Sequence, residues 1–515
     1  MISTRSELGR ITSPQTMNQC PGRDSGYITD VEYPRHFFRE TMPVWLASVC
    51  TALGRRAPDL TRPYTWLDLG CGSGLGTVVA AATNPLGRFI GVDVHPESIA
   101  RARVLAQAAG IANASFHCLS FDQVLETTEA LIPACDFIVS QGVYSWLPPL
   151  QRQAVQRLAA QRLQPGGILH LAYLSHPGSA SFASAQRLMR MVADGQPGGS
   201  ADKMRAGIDL LRDMAQSGAG YFLDNPHALR SVPKTGPLAK AEVAYFAHDY
   251  LNTHRDALHV ADVMADFAAV DCEYAGSAAP YENIETASLP AGAVALLQQL
   301  RDQGADAAMV ETFKDLCRNQ SQRTDLYQRD HPAGNLLSPD AQRTALLAQR
   351  VCLLPVAAGR PLPIQGILSF ESRIGPVKLP MPLVVPLLDA LQDSPRSYAE
   401  LARLPAYADD PGLINTLLQM LAWSGWLQFL RPDATNADAA AWRLNAVLAD
   451  EPPPFNGPIV AAAAIGSAIP APGDPSAHEQ QRLKWLGASM PHRQEPGLDG
   501  RRDLAELNQG GVSAP

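Results

Sequence analysis

Between residues 65 and 173, short apolar runs alternate with stretches of helical periodicity. Five runs are typical of strands, and they span residues 65–69, 89–93, 115–118, 136–140 and 168–173. Helical patterns lie between them, near residues 75–84, 97–109, 122–130 and 149–162. Because strands that alternate with helices form parallel sheets covered on both faces, this region predicts an α/β fold.

A glycine-rich loop joins the first predicted strand to the first helix, with the spacing G-x-G-x-G-x-G from Gly70 to Gly76. Ligands of open α/β sheets bind at this carboxyl end of the strands. A dinucleotide site requires G-x-G-x-x-G, and the third position is Leu75, Thr77 or Val79 in the registers that begin at Gly70, Gly72 and Gly74. The loop therefore disfavours a nicotinamide oxidoreductase.

Two carboxylates flank this loop and favour a cofactor without phosphate, S-adenosylmethionine. Asp68 ends the first strand and can hold the ammonium group of such a cofactor, although a strand-end carboxylate can also cap a helix. Asp93 ends the second strand, where a carboxylate accepts hydrogen bonds from both ribose hydroxyls. The product of methyl transfer would be S-adenosylhomocysteine.

Several segments resemble one branch of the class I methyltransferases. The segment at residues 67–74, LDLGCGSG, resembles their first motif, and residues 136–148 resemble the bacterial enzymes that carry a methyltransferase regulatory domain. That branch includes the rickettsial-type lysine methyltransferases that act on outer-membrane protein. Residues 27–43, 245–252 and 319–326 resemble further signatures of the branch, and residues 498–504 resemble a C-terminal one.

The resemblance and the strand ends together predict the site. The predicted cofactor-binding residues are Asp68, Gly70, Cys71, Gly72, Gly74, Asp93, Val94, Ser120, Phe121 and Gln141. Gln141, Tyr144 and Trp146 follow the fourth strand, and we expect them to form the acceptor pocket, with no metal. Two alternatives remain open: Tyr144 and Trp146 could be packing aromatics, and Ser120 could be a helix cap. Tyr33 and Phe38 are candidates to cover the cofactor from the N-terminal side.

The chain has 515 residues, which is too long for one hydrophobic core. We expect a disordered segment at 1–26, a cofactor-binding domain at 27–178 and a largely helical regulatory domain at 179–333. A small winged-helix-like α+β module follows at 334–432, and then a partly ordered tail rich in alanine and proline at 433–515. The predicted fold class is thus a Rossmann-like methyltransferase sheet with a helical insert and a C-terminal module.

Composition disfavours several partners. The net charge of −8 provides no positive field for nucleic acid, and the helix predicted at 411–424 contains neither Lys nor Arg, unlike a recognition helix. The eight cysteines form no C-x-x-C pair, which argues against zinc. No apolar stretch is long enough to cross a membrane, and we expect a cytoplasmic protein.

The acceptor implied by the resemblance is a lysine side chain of a protein or peptide, an envelope protein being one candidate, and the enzyme could be a homodimer. One stretch departs from the family pattern. Where the family has Tyr-Asn and then Pro-Gly-Trp, this chain has Tyr173-Leu174 and then Pro177-Gly178-Ser179. A methyltransferase of a small molecule or of a peptide natural product is therefore the alternative hypothesis.

Overall fold

The structure is a computed structural model that describes residues 26–226, 228, 238–355, 366–372, 374–407, 410–433, 435–472 and 476–488. The predictions for residues 1–25 and 489–515 lie outside the described residues, so the expected disorder of the N-terminal segment stays a prediction.

A seven-stranded sheet in the order β3-β2-β1-β4-β5-β7-β6 forms the centre of the fold. Its strands are β1 Tyr64–Leu69, β2 Gly87–Asp93, β3 Ala114–Cys118, β4 Cys135–Ser140, β5 Leu163–Leu174, β6 Cys272–Ser277 and β7 Gln322–Arg329. Strands β1 to β5 pair in parallel, whereas β7 is antiparallel to both β5 and β6. The sheet confirms the predicted Rossmann-like class.

Helices cover both faces of this sheet. They are α1 Pro43–Ala52, α2 Leu75–Thr83, α3 Pro96–Ala108, α4 Phe121–Glu126 and α5 Pro149–Arg162. Side chains alternate along each strand, so Phe137 and Ile168 belong to one core and their neighbours Ile138 and Leu169 to another. The near-continuous apolar strands of the sequence reflect this double burial.

The predicted domain border at 178/179 divides this sheet and needs correction. Strands β6 and β7 come from the region that we assigned to the regulatory domain, yet β7 pairs with β5 from Ile168↔Gln328 to Leu174↔Gln322. An unpaired β5 would leave a row of backbone donors and acceptors unsatisfied at the sheet edge, and β7 supplies their partners. The domain that contains the seven-stranded sheet therefore extends through residue 329.

A helical insert follows β5. It contains α6 Ala183–Asp194, α7 Ser200–Gln216, α8 Gly220–Asp224 and α9 Lys240–Tyr250, which share a core around Met189, Met204 and Ile208. The chain then returns to the sheet through α10 Val260–Ala268, β6, α11 Glu285–Ser288, α12 Ala291–Asp302, α13 Ala307–Arg318 and β7. The largely helical insert is confirmed for this part of the chain.

A smaller α+β module follows. Its elements are α14 Pro339–Ala348, β8 Arg350–Leu353, β9 Ile367–Ser372, β10 Gly375–Pro380, α15 Met381–Ala390, β11 Arg396–Ser397, α16 Tyr398–Ala402, α17 Pro411–Trp423 and β12 Leu427–Phe429. Strands β11, β8 and β12 form an antiparallel sheet beside α16 and α17, as the winged-helix-like prediction requires. Helix α17 buries Ile414, Leu417 and Leu418 and contacts α1 and α14.

The segment after residue 435 packs on the body of the protein. It forms α18 Asp438–Asp450, the hairpin of β13 Ile459–Ala462 and β14 Ser467–Pro470, and α19 Ala477–Trp485. The Asn84 side chain, beyond the end of α2, donates to the Gly466 carbonyl at 2.9 Å. The described part of the predicted tail is therefore ordered. No helix among the described residues is both long and apolar enough to span a bilayer.

Candidate functional site

The loop between β1 and α2 requires glycine for two different reasons. Gly70, Gly72 and Gly74 have φ values of 85°, 53° and 74°, in the left-handed region that other residues avoid. A Cβ atom on Gly70 would lie 2.4 Å from Cγ2 of Val143, so that position is also closely packed. A Cβ atom on Gly72 would meet nothing within 4 Å. The loop is thus anchored at Gly70 and faces open space at Gly72.

Asp93 fastens this loop to the end of β2. Its Oδ2 accepts from the backbone N–H of Gly72 at 2.9 Å, and its Oδ1 accepts from the N–H of His95 at 2.8 Å. Burial raises the pKa of Asp93 although these backbone donors oppose the shift. A carboxylate has about four acceptor positions, so two remain for a ligand's hydroxyl groups. The arrangement fits a ribose.

Asp68 lies on β1 below the loop, and its Oδ2 accepts from Oγ1 of Thr77 at 3.0 Å. Burial raises the pKa of Asp68 to about 7, and the negative charge of Asp93 adds to the effect. A cation beside Asp68 would lower this pKa again and would gain a charged partner. The position therefore fits an ammonium group, while the bond to Thr77 shows that Asp68 also supports the first turns of α2.

A cavity of about 110 Å³ lies between the loop and the N-terminal segment. On the loop side it is lined by Asp68, Gly70, Cys71, Gly72, Ser73 and Gln141, among others, and on the opposite side by Glu32, Tyr33, Pro34, Arg35, His36, Phe38 and Thr41. Four of the predicted cofactor residues besides Asp68 thus meet in one cavity, namely Gly70, Cys71, Gly72 and Gln141. Tyr33 and Phe38 lie where they were expected to cover it.

Contacts to two distant regions hold this N-terminal segment in place. Helix α9 holds one end, since Nε2 of His248 lies 2.6 Å from the Val31 carbonyl oxygen. The loop at residues 451–457 holds the other end. There the N–H of Phe455 donates to the Arg35 carbonyl at 2.6 Å, and the Asn456 amide donates to the Phe37 carbonyl at 2.6 Å. The cover is therefore made jointly by the insert and the C-terminal part of the chain.

Five predicted cofactor residues are not among those that line the cavity, namely Gly74, Asp93, Val94, Ser120 and Phe121. Val94 is 37% exposed and follows Asp93 directly, in a position to contact a bound base. Ser120 caps α4, where its Oγ accepts from the Gln123 N–H at 3.3 Å, which is the alternative given above. The ring of Phe121 is buried in the core, and its role in cofactor binding stays a prediction.

The acceptor pocket that we predicted needs correction. Tyr144 has no exposed surface, accepts a hydrogen bond from Nε2 of Gln156 at 3.1 Å, and packs against Tyr173 and Phe267. Trp146 is half-buried, and its indole N–H reaches the Asp249 carbonyl at 3.4 Å. Both belong to a short 3-10 helix, Tyr144–Trp146, that turns them away from the cavity. Of the three expected residues, Gln141 alone lines it.

Sequence reasoning missed three aromatic neighbours of the cavity. His36 lines it directly, and Tyr245 and Phe455 contact His36 with ring centroids 5.8 and 5.0 Å apart. His36 and Tyr245 fall in segments that carry the family resemblance, so their positions gave a weak signal. Phe455 follows three prolines in the predicted tail rich in alanine and proline, and nothing in the neighbouring sequence indicates that it lies near the site.

The fold and the site define a class of enzyme. A largely parallel sheet carries three features at the carboxyl ends of its parallel strands. They are a glycine loop without the dinucleotide spacing, a carboxylate suited to ribose and a carboxylate suited to an ammonium group. These are the features of a class I methyltransferase that uses S-adenosylmethionine.

Comparison with known proteins agrees. Residues 60–208 match the family described as "Methyltransferase domain", and residues 242–329 match "Predicted methyltransferase regulatory domain". The chain is an S-adenosylmethionine-dependent methyltransferase with a methyltransferase regulatory domain. The second match includes β6 and β7, so the regulatory family contributes two strands of the catalytic sheet.

Similar proteins cover most of the chain. An uncharacterised protein of Synechocystis is 28% identical over 381 residues, 74% of this chain and 71% of the relative. An uncharacterised protein of Rickettsia prowazekii is 24% identical over 330 residues, 63% of this chain and 57% of the relative. The structure of PKMT2 from Rickettsia typhi in complex with AdoHcy aligns with a TM-score of 0.62 and 20% identity over 89% of both chains. Because this structural alignment covers 89% of this chain, the shared fold includes the insert and the C-terminal module as well as the sheet.

Proposed function

We propose that this enzyme methylates lysine ε-amines of a protein or peptide substrate. The observation that carries the proposal is the lining of the cavity, which has the cofactor residues on one side and the rings of Tyr33, His36 and Phe38 on the other. A buried cavity suits an amine that must lose its charge before it reacts, because burial disfavours the ammonium ion. The resemblance to lysine methyltransferases and the fold shared with PKMT2 support the same acceptor.

The reaction is an in-line displacement. The cofactor supplies a methyl group on a positively charged sulfur when it is bound. The lone pair of the amine nitrogen forms a bond to the methyl carbon while the carbon–sulfur bond breaks, and the nitrogen then releases a proton to water. A lysine with its ordinary pKa is roughly one part in a thousand neutral near pH 7, a deficit of about 4 kcal/mol. Approach geometry and desolvation must provide the rest of the rate.

The residues of this chain have distinct tasks in the proposal. Asp68 would hold the ammonium group of the cofactor, and Asp93 the ribose hydroxyls. Gln141 lies at the end of β4 with its side chain at the cavity, where the amide oxygen can accept an N–H of the incoming amine. Aromatic rings on the opposite side exclude water from the reacting atoms.

The stretch that departs from the family pattern does not line the cavity. Ser179 Oγ donates to the Ser321 carbonyl at 2.5 Å, and a Cβ atom on Gly178 would lie 2.5 Å from the Asn319 carbonyl oxygen. Tyr173 donates to Asp325 at 2.6 Å inside the sheet. These contacts give the altered Ser179 and its unaltered neighbours a packing role. The small-molecule acceptor therefore loses the observation that motivated it.

An envelope protein is the first candidate substrate, and a homodimer, a cytoplasmic location and the absence of nucleic-acid binding stay predictions.

Two measurements test the proposed function. Calorimetric titration with S-adenosylhomocysteine, with NADH as a control, should show micromolar binding of the first ligand alone. Transfer of a tritiated methyl group to a panel of lysine-containing proteins, envelope proteins first, should then yield methyl-lysine after hydrolysis. Label found solely in small-molecule products, by an enzyme that binds S-adenosylhomocysteine, would contradict the lysine acceptor and leave the cofactor site established.

A further inference from the structure

Four aromatic side chains from three distant segments meet beside the cavity. Tyr33 and His36 belong to the N-terminal cover, Tyr245 to α9 and Phe455 to the loop at 451–457. Tyr245 lies with its ring centroid 6.3 Å from that of Tyr33 and 5.8 Å from that of His36. Phe455 stacks on Tyr245 at 5.3 Å with an interplanar angle of 14°. We call these four side chains the aromatic funnel.

The aromatic funnel has exposed rings and rings that line the cavity. Tyr33 is 41% exposed and Phe455 is 39% exposed, so a ligand in solvent can reach both rings. Tyr33 and His36 also line the cavity that contains Asp68 and Gln141. A ligand that enters along these rings would reach the place where the methyl group is transferred.

Charged groups near the aromatic funnel are paired with one another. Arg35 lies 3.4 Å from Glu451, Arg101 pairs with Glu32, and Arg255 lies 3.8 Å from Asp249. What remains for a ligand is the set of ring faces, which carry the negative side of the aromatic quadrupole.

The ionisation of the rings suits a cationic ligand. Burial lowers the pKa of His36, so this imidazole is neutral at pH 7. Burial, with the charge of Asp249 as a further cause, raises the pKa of the Tyr245 phenol to about 12. The rings therefore present uncharged faces to a ligand.

We propose that the aromatic funnel is the acceptor entrance, where Tyr33, His36, Tyr245 and Phe455 receive an alkylammonium side chain by cation–π contact before it loses its proton in the cavity. The inference rests on the proposed function in one respect, which is that the acceptor is an amine. These side chains would determine the affinity for the acceptor. Two of them, Tyr245 and Phe455, lie in the helical insert and in the C-terminal part of the chain.

The test compares Phe455→Leu and Tyr245→Leu with the wild-type enzyme. Phe455 suits substitution because its ring is exposed and its loop is held by the backbone N–H of Phe455 and by Asn456, which the variant retains. The probe is a randomised 13-residue peptide pool with one central lysine, and a second pool carries norleucine there. Binding is measured with saturating S-adenosylhomocysteine, and methyl transfer with saturating S-adenosylmethionine.

Wild-type enzyme should bind the lysine pool more tightly than the norleucine pool. Each leucine variant should lose most of that preference and raise the KM for the lysine pool about fivefold to tenfold, with kcat and the affinity for S-adenosylhomocysteine unchanged. Phe455→Trp should restore the wild-type KM. Trp442→Leu, which removes an exposed ring of α18, is the matched control and should change nothing.

Two results would overturn the proposal. One is an unchanged KM and an unchanged preference for lysine in both leucine variants. The other is a parallel loss of affinity for S-adenosylhomocysteine, which would make the rings part of the cofactor cover alone. The binding measurement needs no turnover, so an enzyme that prefers lysine but transfers no methyl group would uphold the aromatic funnel and refute the proposed reaction.

Discussion

The two walls of the cavity differ in how the chain builds them. The cofactor wall comes from residues 68–93, a contiguous strand–loop–helix–strand unit whose polar groups are joined by local hydrogen bonds such as Gly72 to Asp93. The opposite wall is formed by residues 32–41. Helix α9 and the loop at 451–457, which lie hundreds of residues away in sequence, hold this segment in place. The first wall is a local motif, whereas the second exists only in the folded protein. Substitutions in the first wall should therefore weaken cofactor binding strongly. Substitutions in the second wall should have smaller effects, mainly on binding rates and kinetic constants.

The largest expected effect is from Asp93→Ala. The variant loses both the acceptor for ribose hydroxyls and the anchors to Gly72 and His95, so S-adenosylhomocysteine should bind about 100-fold more weakly. Calorimetry measures the affinity. Asp59→Ala, which changes an exposed carboxylate distant from the loop, should bind normally. Near-normal binding by Asp93→Ala would show that the cofactor does not bind at this loop.

Gly70→Ala should have a somewhat smaller effect. Its Cβ atom would lie 2.4 Å from Val143 Cγ2 at a φ of +85°, so the loop must shift, and the affinity for S-adenosylhomocysteine should fall about 30-fold. The double variant with Val143→Ala should recover part of the loss because it relieves the clash but not the backbone strain. Gly292→Ala in α12, where the new Cβ meets nothing within 4 Å, is the control and should be neutral or slightly stabilising. No recovery in the double variant would contradict the close approach at Gly70.

The pH dependence of cofactor binding should reveal Asp68. Because burial raises its pKa to about 7, the carboxyl is largely protonated at pH 6 and largely ionised at pH 8. An ammonium group binds the ionised form better, so the Kd for S-adenosylhomocysteine should fall about tenfold between these pH values. Asp68→Asn should bind weakly with a flat profile. A wild-type affinity that does not rise with pH would place the ammonium group elsewhere.

The smallest effect is expected at the assembled wall. Asn456→Ala removes the side-chain bonds to the backbone of Phe37 and loosens the cover, so S-adenosylhomocysteine should dissociate about threefold to fivefold faster in stopped-flow measurements. Asn436→Ala, which removes a cap from α18 but no contact to the cover, should leave the rate unchanged. A 100-fold effect at Asn456 would mean that the cover, and not the local motif, dominates cofactor affinity.

Sequence reasoning succeeded where the signal was local. Periodicity located five strands and four helices between residues 64 and 174, and spacing excluded the dinucleotide motif because the required glycine is absent in every register. It erred at Tyr144, since an aromatic residue after a strand can turn towards the ligand or into the core, and the 3-10 helix decides between them. It also divided the sheet at residue 178, because strands β6 and β7 carry polar residues such as Arg323 and Asp325 that pair with each other inside the fold.

The sequence by itself determined the class of enzyme and the cofactor, because the glycine loop and both carboxylates lie within one short segment of the chain. Only the tertiary structure decided which aromatic residues reach the site. Tyr245 and Phe455 approach His36 because helix packing and backbone hydrogen bonds bring α9 and the 451–457 loop to the same edge of the sheet. No pattern within either segment encodes that meeting, since it depends on the summed packing of everything between them.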